Sequence, residues 1–257
     1  MKIKALIFSA LLLFLASAWP DETAAFEYVI DFETGDTSQV DYEHNPSRNS
    51  IVDSNLSGGG NYAFRCMIPQ GSSQQYCGFN VDLSTMPSQN NIYIRYYVKF
   101  EPSWKFAPPS DNPYYKSLIL EVDAEDYNAG GRMFLNLNSV SESVARMKAL
   151  IYTLDQWHDT GVDIRNDDRW HCIELRSYRN LSSPSNGRVQ VWHNGTLVLD
   201  LNPFNAGNAE ISYITFGYRN GTAQNDMYMQ FDEIVIADHY IGPIGVPSPP
   251  SNIRRVQ

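Results

Sequence analysis

The sequence predicts an all-β sandwich of the jelly-roll kind, built from two antiparallel sheets. Short runs of alternating apolar and polar residues follow one another, separated by clusters of Gly, Pro, Asn and Ser. No segment has the pattern of a long helix, and only 139–150 has the composition of a short one. With 257 residues and 43% hydrophobic content, the chain can fill one such core. The clearest runs are Phe26–Phe32, Tyr62–Ile68, Gly78–Leu83, Ile92–Phe100, Lys116–Val122, Met133–Asn138, Trp170–Tyr178, Val189–His193, Ile211–Tyr218 and Met227–Ala237.

The N-terminus has the features of a secretory signal peptide. Two lysines precede the apolar run Ala5–Trp19, which contains the small residues of a cleavage site. The run is shorter than a membrane span requires, and cleavage after Ala18 or near Ala25 fits it equally well. We therefore expect a secreted protein, extracellular or periplasmic, without a membrane span. The assigned units are a signal peptide over 1–25, one domain over 26–243 and a Pro/Ser-rich tail over 244–257.

The charge of the chain restricts its partners. The formal net charge is −10, from 19 Lys and Arg against 29 Asp and Glu. Nucleic-acid binding needs a basic surface, so we expect no nucleic-acid partner. A local cluster of Arg and Lys can still bind an anionic glycan, because local potential outweighs the global sign. We expect the protein to be a monomer.

The chain has three cysteines, and the sequence does not decide whether two of them form a disulfide. Cys66 and Cys77 flank a turn of Gln, Ser and Gly residues, and export would allow them to pair across a hairpin. Cys172 lies inside a predicted strand and is expected to be a buried free thiol. Histidines do not occur at ligand spacing from these cysteines, so the pattern does not indicate a zinc site.

Four predicted strands carry polar and aromatic residues on the face that points away from the core. In Asn91–Phe100, alternation places the apolar residues on one side and Tyr93, Arg95, Tyr97 and Lys99 on the other. Arg and Tyr are enriched where a surface binds a partner. These four faces either share one groove or lie on different sides of the sandwich. In the other three strands the outward residues include Glu121, Asp123, Arg132, Asn136, Asn138, Glu174, Arg176 and Tyr178.

Several of these segments resemble a known superfamily. The segments that carry the resemblance are Asp31–Asp36, Asn61–Arg65, Ile94–Phe100, Trp104–Phe106, Trp170–Leu175, Val191–Gly195 and Phe231–Ile236. Together they resemble the concanavalin A-like lectin and glucanase jelly rolls, and in particular bacterial polysaccharide lyases of that fold. The resemblance implies a sheet with a concave face that binds an extended polysaccharide.

The resemblance also implies a reaction, the β-elimination of a uronate-containing glycan. In such lyases an Arg or Gln neutralises the uronate carboxylate, a Tyr or His removes the C5 proton, and a Tyr protonates the leaving oxygen. Nearby cations would lower the pKa of a Tyr base. The Gln-x-His pair of alginate lyases is not present on the central strand. By position, the implied catalytic residues are Arg95, Tyr97, Lys99, Arg176 and Tyr178. The candidate substrate-binding residues come from the outward faces of the four strands and are Tyr93, Asp123, Arg132, Asn136, Asn138 and Glu174.

Two other functions remain open. The segment Glu121–Glu125 resembles the catalytic strand of laminarinase-like glycoside hydrolases, with Glu121 as nucleophile, Glu125 as acid/base and Asp123 tuning both. A lectin-like or laminin-G-like module would only bind glycan, using exposed aromatic rings as sugar platforms. Candidates for such platforms are Trp104, Trp157 and Trp192. Between the two reactions the sequence favours elimination.

A structural calcium ion is the one metal that the sequence suggests, and no cofactor is required for the reaction. Asp31 and Glu33 lie at the end of the first predicted strand and Asp232 lies in the last, and these strands are neighbours in many jelly rolls. Carboxylate oxygens suit Ca²⁺, so the three residues are a candidate site. Ordinary solvated carboxylates at a sheet edge are the alternative.

Overall fold

The computed structural model describes residues 25–71, 75–87, 90–106, 118–123, 133–151, 156–180, 182–205, 210–220, 223 and 225–245. Nearly all of the predicted signal peptide and most of the predicted tail lie outside these ranges. Within them the chain is a sandwich of two antiparallel sheets, which confirms the all-β prediction. No helix in these ranges combines the length and the hydrophobicity needed to cross a membrane.

Sheet A contains the first and last strands. Its strand order is β13-β12-β11-β6-β15-β4-β3, and β1 pairs with the second half of β15. The expectation that the first and last strands are neighbours is thereby confirmed. The strands are β1 (Glu27–Ile30), β3 (Asn49–Asp53), β4 (Tyr62–Ile68), β6 (Asn91–Phe100), β11 (Trp170–Tyr178), β12 (Gly187–His193), β13 (Thr196–Phe204) and β15 (Met227–Ala237).

Sheet B has the order β10-β9-β8-β7-β14-β5-β2. Its strands are β2 (Tyr42–His44), β5 (Gln75–Asp82), β7 (Leu118–Asp123), β8 (Met133–Ser141), β9 (Val144–Ile151), β10 (Gln156–Arg165) and β14 (Tyr213–Asn220). The 3₁₀ turns Pro46–Arg48 and Pro184–Asn186 precede β3 and β12.

The core lies between the sheets and follows the predicted alternation. In β6, Ile92, Ile94, Tyr96, Val98 and Phe100 are fully buried in one cluster with residues of both sheets. Successive residues of a strand point to opposite faces, so the intervening residues of β6 lie on the outer face of sheet A.

The segment predicted as a short helix is a hairpin. Residues 139–150 form the end of β8, a turn and most of β9. Ala145, Met147 and Ala149 are fully buried, and they alternate with residues on the outer face. This period of two suits a strand, and pairing with β8 and β10 outweighs the helical tendency of the Ala, Met, Lys and Arg residues.

The disulfide left open by the sequence is formed. Cys66 in β4 is bonded to Cys77 in β5, and both are fully buried. Because β4 belongs to sheet A and β5 to sheet B, the bond connects the two sheets across the core and not two strands of one hairpin. Cys172 is a buried free thiol, as predicted.

Candidate functional site

The residues that the sequence places in one groove lie on opposite sides of the sandwich. Strands β6 and β11 belong to sheet A, whereas β7 and β8 belong to sheet B. The possibility of one groove lined by all four strands is therefore wrong. The physical reason is that alternation along a strand identifies the residues that point away from the core, but not the sheet to which the strand belongs.

The centre of the outer face of sheet A is covered by the segment 240–245. The carboxylate of Glu174 accepts hydrogen bonds from the backbone N–H groups of Ile241 and Gly242, at 2.9 and 2.8 Å. The Arg95 guanidinium donates to the carbonyl oxygen of Gly242 at 3.4 Å. The backbone N–H of Ile244 donates to the Tyr97 hydroxyl at 2.7 Å. The residues from Gly242 to Gly245, which carry no strand pattern, are thus docked on the sheet.

A second loop, residues 54–60, covers the same face from the other side. The amide oxygen of Asn55 accepts hydrogen bonds from Lys99 Nζ at 3.0 Å and from Trp170 Nε1 at 2.8 Å. Ser54 Oγ donates to the carboxylate of Asp232, and Leu56 packs against Tyr97. As a result Arg95, Tyr97, Lys99 and Glu174 are all buried.

The surroundings of Tyr97 do not suit a general base. Burial, the largest cause, raises the pKa of Tyr97 to about 12, and this outweighs the lowering by Arg95. The expectation that nearby cations lower the pKa of this tyrosine is therefore not met. Burial also raises the pKa of Glu174, although two backbone N–H donors and Arg95 favour its ionised form. Arg95 and Tyr97 hold the segment 240–245 in place, and Lys99 holds the loop 54–60. The catalytic roles of these three residues stay predictions.

The remaining predicted residues of sheet A lie at the uncovered end of the same face. Tyr93, Arg176 and Tyr178 are half-buried, and the Arg176 guanidinium lies 5.1 and 5.7 Å from the centres of the Tyr93 and Tyr178 rings. Trp192 is half-buried beside them. In contrast, Trp104 is fully buried against Phe100 and Phe106, so it is not a sugar platform.

The outer face of sheet B carries a buried amide without a partner. Asn136 in β8 is 0% exposed, and neither its amide nitrogen nor its amide oxygen has a hydrogen-bond partner within the described ranges. The amide oxygen of Asn138, two residues along the same face, also lacks one. A buried polar group left unpaired costs about 1–3 kcal/mol, so this amide keeps hydrogen-bonding capacity that a ligand or a water can use.

A lysine stands next to this amide; its other cross-strand neighbour is Asp159, with which it forms no ion pair in the described residues. Lys148 in β9 is the cross-strand neighbour of Asn136, and such neighbours have Cβ atoms about 5 Å apart. The next cation along β9 differs, because Arg146 is bound to Asp163 at 2.6 Å and to Asp159 at 3.5 Å. The amide and the ammonium therefore form a pair that can receive a carboxylate. The sequence interpretation missed Lys148, although its alternation with Met147 and Ala149 marks a strand.

In sheet B, residues that pair with one another across neighbouring strands form one continuous row over all seven strands. Trp157 and Tyr42 stand at its two ends, with exposures of 42% and 60%. The row crosses seven strands, so at about 4.8 Å per step it is about 29 Å long. It is long enough for an oligosaccharide and has an exposed aromatic ring at each end. The row is Trp157, Leu150, Phe134, Glu121, Thr215, Asn80 and Tyr42.

The other predicted residues of sheet B are only partly described. Glu121 and Asp123 lie in β7, in register with Thr215 and Tyr213 of β14. Arg132, and Glu125 of the hydrolase alternative, lie outside the described residues.

The three candidate calcium ligands are held by separate donors. Glu33 accepts hydrogen bonds from the backbone N–H groups of Asn61 and Tyr62, Asp31 from Gln39, and Asp232 from Ser54. Across the described part of the chain, no three His, Cys, Asp or Glu residues come together into a group that could hold a metal ion. The calcium site stays a prediction, and no step of the proposed reaction depends on it.

Comparison with known proteins finds similarity of structure. No family model matches the chain, and no curated protein sequence matches it. The structure resembles that of a double mutant of the alginate lyase Aly36B with alginate trisaccharide, at a TM-score of 0.56 and 17% identity, covering 82% of this chain and 97% of that one. The endo-β-1,4-glucuronan lyase from the fungus Trichoderma reesei gives 0.56 and 12%, covering 82% and 95%. The cellulose induced protein Cip1 gives 0.55 and 14%, covering 84% and 99%. At these identities the similarity establishes a shared fold.

Proposed function

We propose that the protein is a secreted polysaccharide lyase that binds a uronate-containing glycan on the outer face of sheet B and cleaves it by β-elimination. The observation that carries this proposal is the buried, unpartnered amide of Asn136 beside Lys148. Its fold is shared with proteins named as lyases of alginate and glucuronan, which supports the choice of reaction. The N-terminal segment with the features of a signal peptide supports secretion.

The chemistry of the pair suits the first requirement of β-elimination. Removing the proton next to a uronate carboxylate builds negative charge on that carboxylate. The Asn136 amide can donate an N–H to one oxygen, and the Lys148 ammonium offsets the charge. The bond to the amide also satisfies a group that otherwise stays unpaired in the protein. The charge increases in the transition state, so both interactions are stronger there than in the bound substrate.

The same face carries two further polar rings that can contact a bound glycan. Tyr213 lies two residues from Thr215 on β14, and His44 lies two residues from Tyr42 on β2. His44 Nε2 is 2.8 Å from the amide oxygen of Asn80, which orients the ring. We assign the carboxylate-binding role to Asn136 and Lys148. Tyr213 and His44 lie two and four strands away from β8, about 10 and 19 Å across the sheet, so they can contact other sugars of the bound glycan.

A binding module without catalysis is the second candidate. It is favoured by the exposed rings of Trp157 and Tyr42 at the two ends of the row, because aromatic rings alone can retain a glycan. Such a module needs no proton transfer and would produce no chemical change in the polymer.

The test is a screen of the purified mature protein against alginate, glucuronan and a neutral glucan. Ultraviolet absorbance of the unsaturated product and reducing ends are followed together. We expect both to rise on a uronate polymer and neither on the glucan. The Asn136→Ala variant should lose both signals, whereas Asn186→Ala, an exposed asparagine in the turn before β12, should keep them. Reducing ends without absorbance would indicate hydrolysis instead. If neither the absorbance nor the number of reducing ends increases, but the protein is retained on a polysaccharide gel, the result supports the binding module.

A further inference from the structure

The end of sheet A next to the covering segment 240–245 carries a cluster of an arginine and aromatic rings, on the opposite side of the sandwich from Asn136 and Lys148. We call it the arginine–aromatic patch and define it as Arg176, Tyr93, Tyr178, Trp192 and Tyr240. The guanidinium carbon of Arg176 is 5.1 Å from the centre of the Tyr93 ring and 5.7 Å from that of Tyr178. The Trp192 ring lies 6.1 Å from Tyr93 and 5.2 Å from Tyr240. All five side chains are half-buried, so each retains accessible surface.

The charge of Arg176 is held in place without a counterion. Its Nε donates to the amide oxygen of Asn91 at 3.0 Å, and its Nη1 donates to the amide oxygen of Gln190 at 3.1 Å. Both partners are neutral, and no carboxylate in the described part of the chain forms an ion pair with it. The neighbouring Arg188 is different, because it binds Asp200 through two hydrogen bonds of 2.8 and 2.6 Å.

This arrangement is suited to an anion with an attached ring. A guanidinium fixed by two amides loses little conformational entropy when a carboxylate binds, and it can bind that carboxylate through two N–H groups. Tyr and Trp rings offer an apolar face for a sugar and a polar group at the edge. A carboxylated sugar presents both features to this surface at once.

We infer that the arginine–aromatic patch is a second, non-catalytic glycan-binding site, in which Arg176 receives the carboxylate of a uronate residue and Trp192 and Tyr93 contact the sugar ring. The choice of a uronate polymer rests on the proposed function. The patch lies on sheet A and the proposed cleavage site on sheet B, on opposite outer faces of two sheets that pack about 10 Å apart. A long polymer held at the patch raises the local concentration of glycan around the molecule and so increases retention on insoluble or dense substrate.

The experiment measures retention of the full chain on gels that contain alginate or glucuronan, in a Lys148→Met background so that the polymer is not consumed. We expect Arg176→Gln and Trp192→Ala each to weaken retention about tenfold. The matched control Arg188→Gln removes an arginine that already has a carboxylate partner, and it should leave retention unchanged. Raising the salt concentration should weaken retention of the Lys148→Met protein and have little effect on Arg176→Gln. Thermal unfolding of each variant checks that it is folded.

The outcomes separate this site from the proposed function. Equal retention of Arg176→Gln, Arg188→Gln and the parent protein would overturn the patch, whether or not the wild-type protein cleaves glycan. A wild-type protein that cleaves none of the polymers, but whose retention depends on Arg176, would support the patch and overturn the lyase. Retention on a neutral glucan as strong as on the uronate polymers would overturn the assignment of a carboxylate ligand.

Discussion

The outer faces of the two sheets carry similar residue types in different states. On sheet A the buried ions have partners, since Glu174 accepts two backbone N–H groups and Lys99 is bound to Asn55 and Asp168. On sheet B the amide of Asn136 is equally buried and has no partner, and Lys148 beside it forms no ion pair within the described residues. Satisfied groups stabilise a structure, whereas unsatisfied ones leave binding capacity for a ligand. Residue type alone therefore does not identify the functional face; whether the buried polar groups already have partners has to be known as well.

The largest expected effect is the loss of cleavage when sheet B loses its cation. We expect Lys148→Met to reduce the initial rate on a uronate polymer about 100-fold or more, because charge on the carboxylate is no longer offset. The matched control is Lys105→Met, which removes a half-exposed lysine paired with Glu142 at 3.3 Å. The control should keep the rate. A rate for Lys148→Met within twofold of the wild type would show that the face needs no cation.

The next effect concerns the stability of sheet A. We expect Glu174→Gln to lower the free energy of unfolding by about 2 kcal/mol, because the NH2 group that replaces one carboxylate oxygen faces one of the two backbone N–H donors. Urea unfolding measures the change, and Arg188→Gln serves as a control on the same face. The folded variant should still cleave glycan. Lost cleavage at unchanged stability would show instead that Glu174 acts in the reaction.

The smallest effect, counted for each pH unit, is a pH dependence that arises on the core side of sheet A. The rings of His171 and His193 stack, with Nδ1 and Nε2 3.1 Å apart. Burial, and then His193, lower the pKa of His171 from 6.5 to about 4. Between these values the unfolded chain binds more protons, so stability is complete above the upper value and falls as the pH decreases through this window.

The expected slope is up to about 1.4 kcal/mol for each pH unit. Unfolding in urea at several pH values measures it, and the His171→Gln variant should show a flatter profile. If the wild type is equally stable at both ends of the window, the ring is accessible to protons in the folded state and the burial argument is wrong.

The alternation of single strands was the part of the fold that the sequence could predict. Strand β6 begins one residue before the predicted run Ile92–Phe100 and has the predicted faces, because each apolar residue has to enter a core whichever sheet contains the strand. The distribution of strands between sheets was not predictable in the same way, because pairing joins residues far apart in sequence. Asp232 of β15, for example, pairs with Tyr97 of β6.

The candidate site was predictable in part. Asn136 and Asn138 were expected on an outer face and lie there, although a role in binding stays a prediction. Lys148 was missed because a run with Ala, Met, Lys and Arg also fits a helix, and only pairing with β8 decides between them. The cover of sheet A was not predictable, since backbone groups of Ile241 and Gly242 bind Glu174 and backbone groups leave no pattern in the sequence.

One comparison of rates tests most directly whether cleavage takes place on sheet B. The wild type, Lys148→Met and Tyr97→Phe are assayed on the same uronate polymer by the absorbance of the unsaturated product, after each is shown to be folded. We predict that Lys148→Met loses the activity and that Tyr97→Phe keeps it, because the Tyr97 hydroxyl is held by the N–H of Ile244 beneath the covering segment. Loss of activity in a folded Tyr97→Phe protein, with activity retained in Lys148→Met, would place the reaction on sheet A and contradict this account.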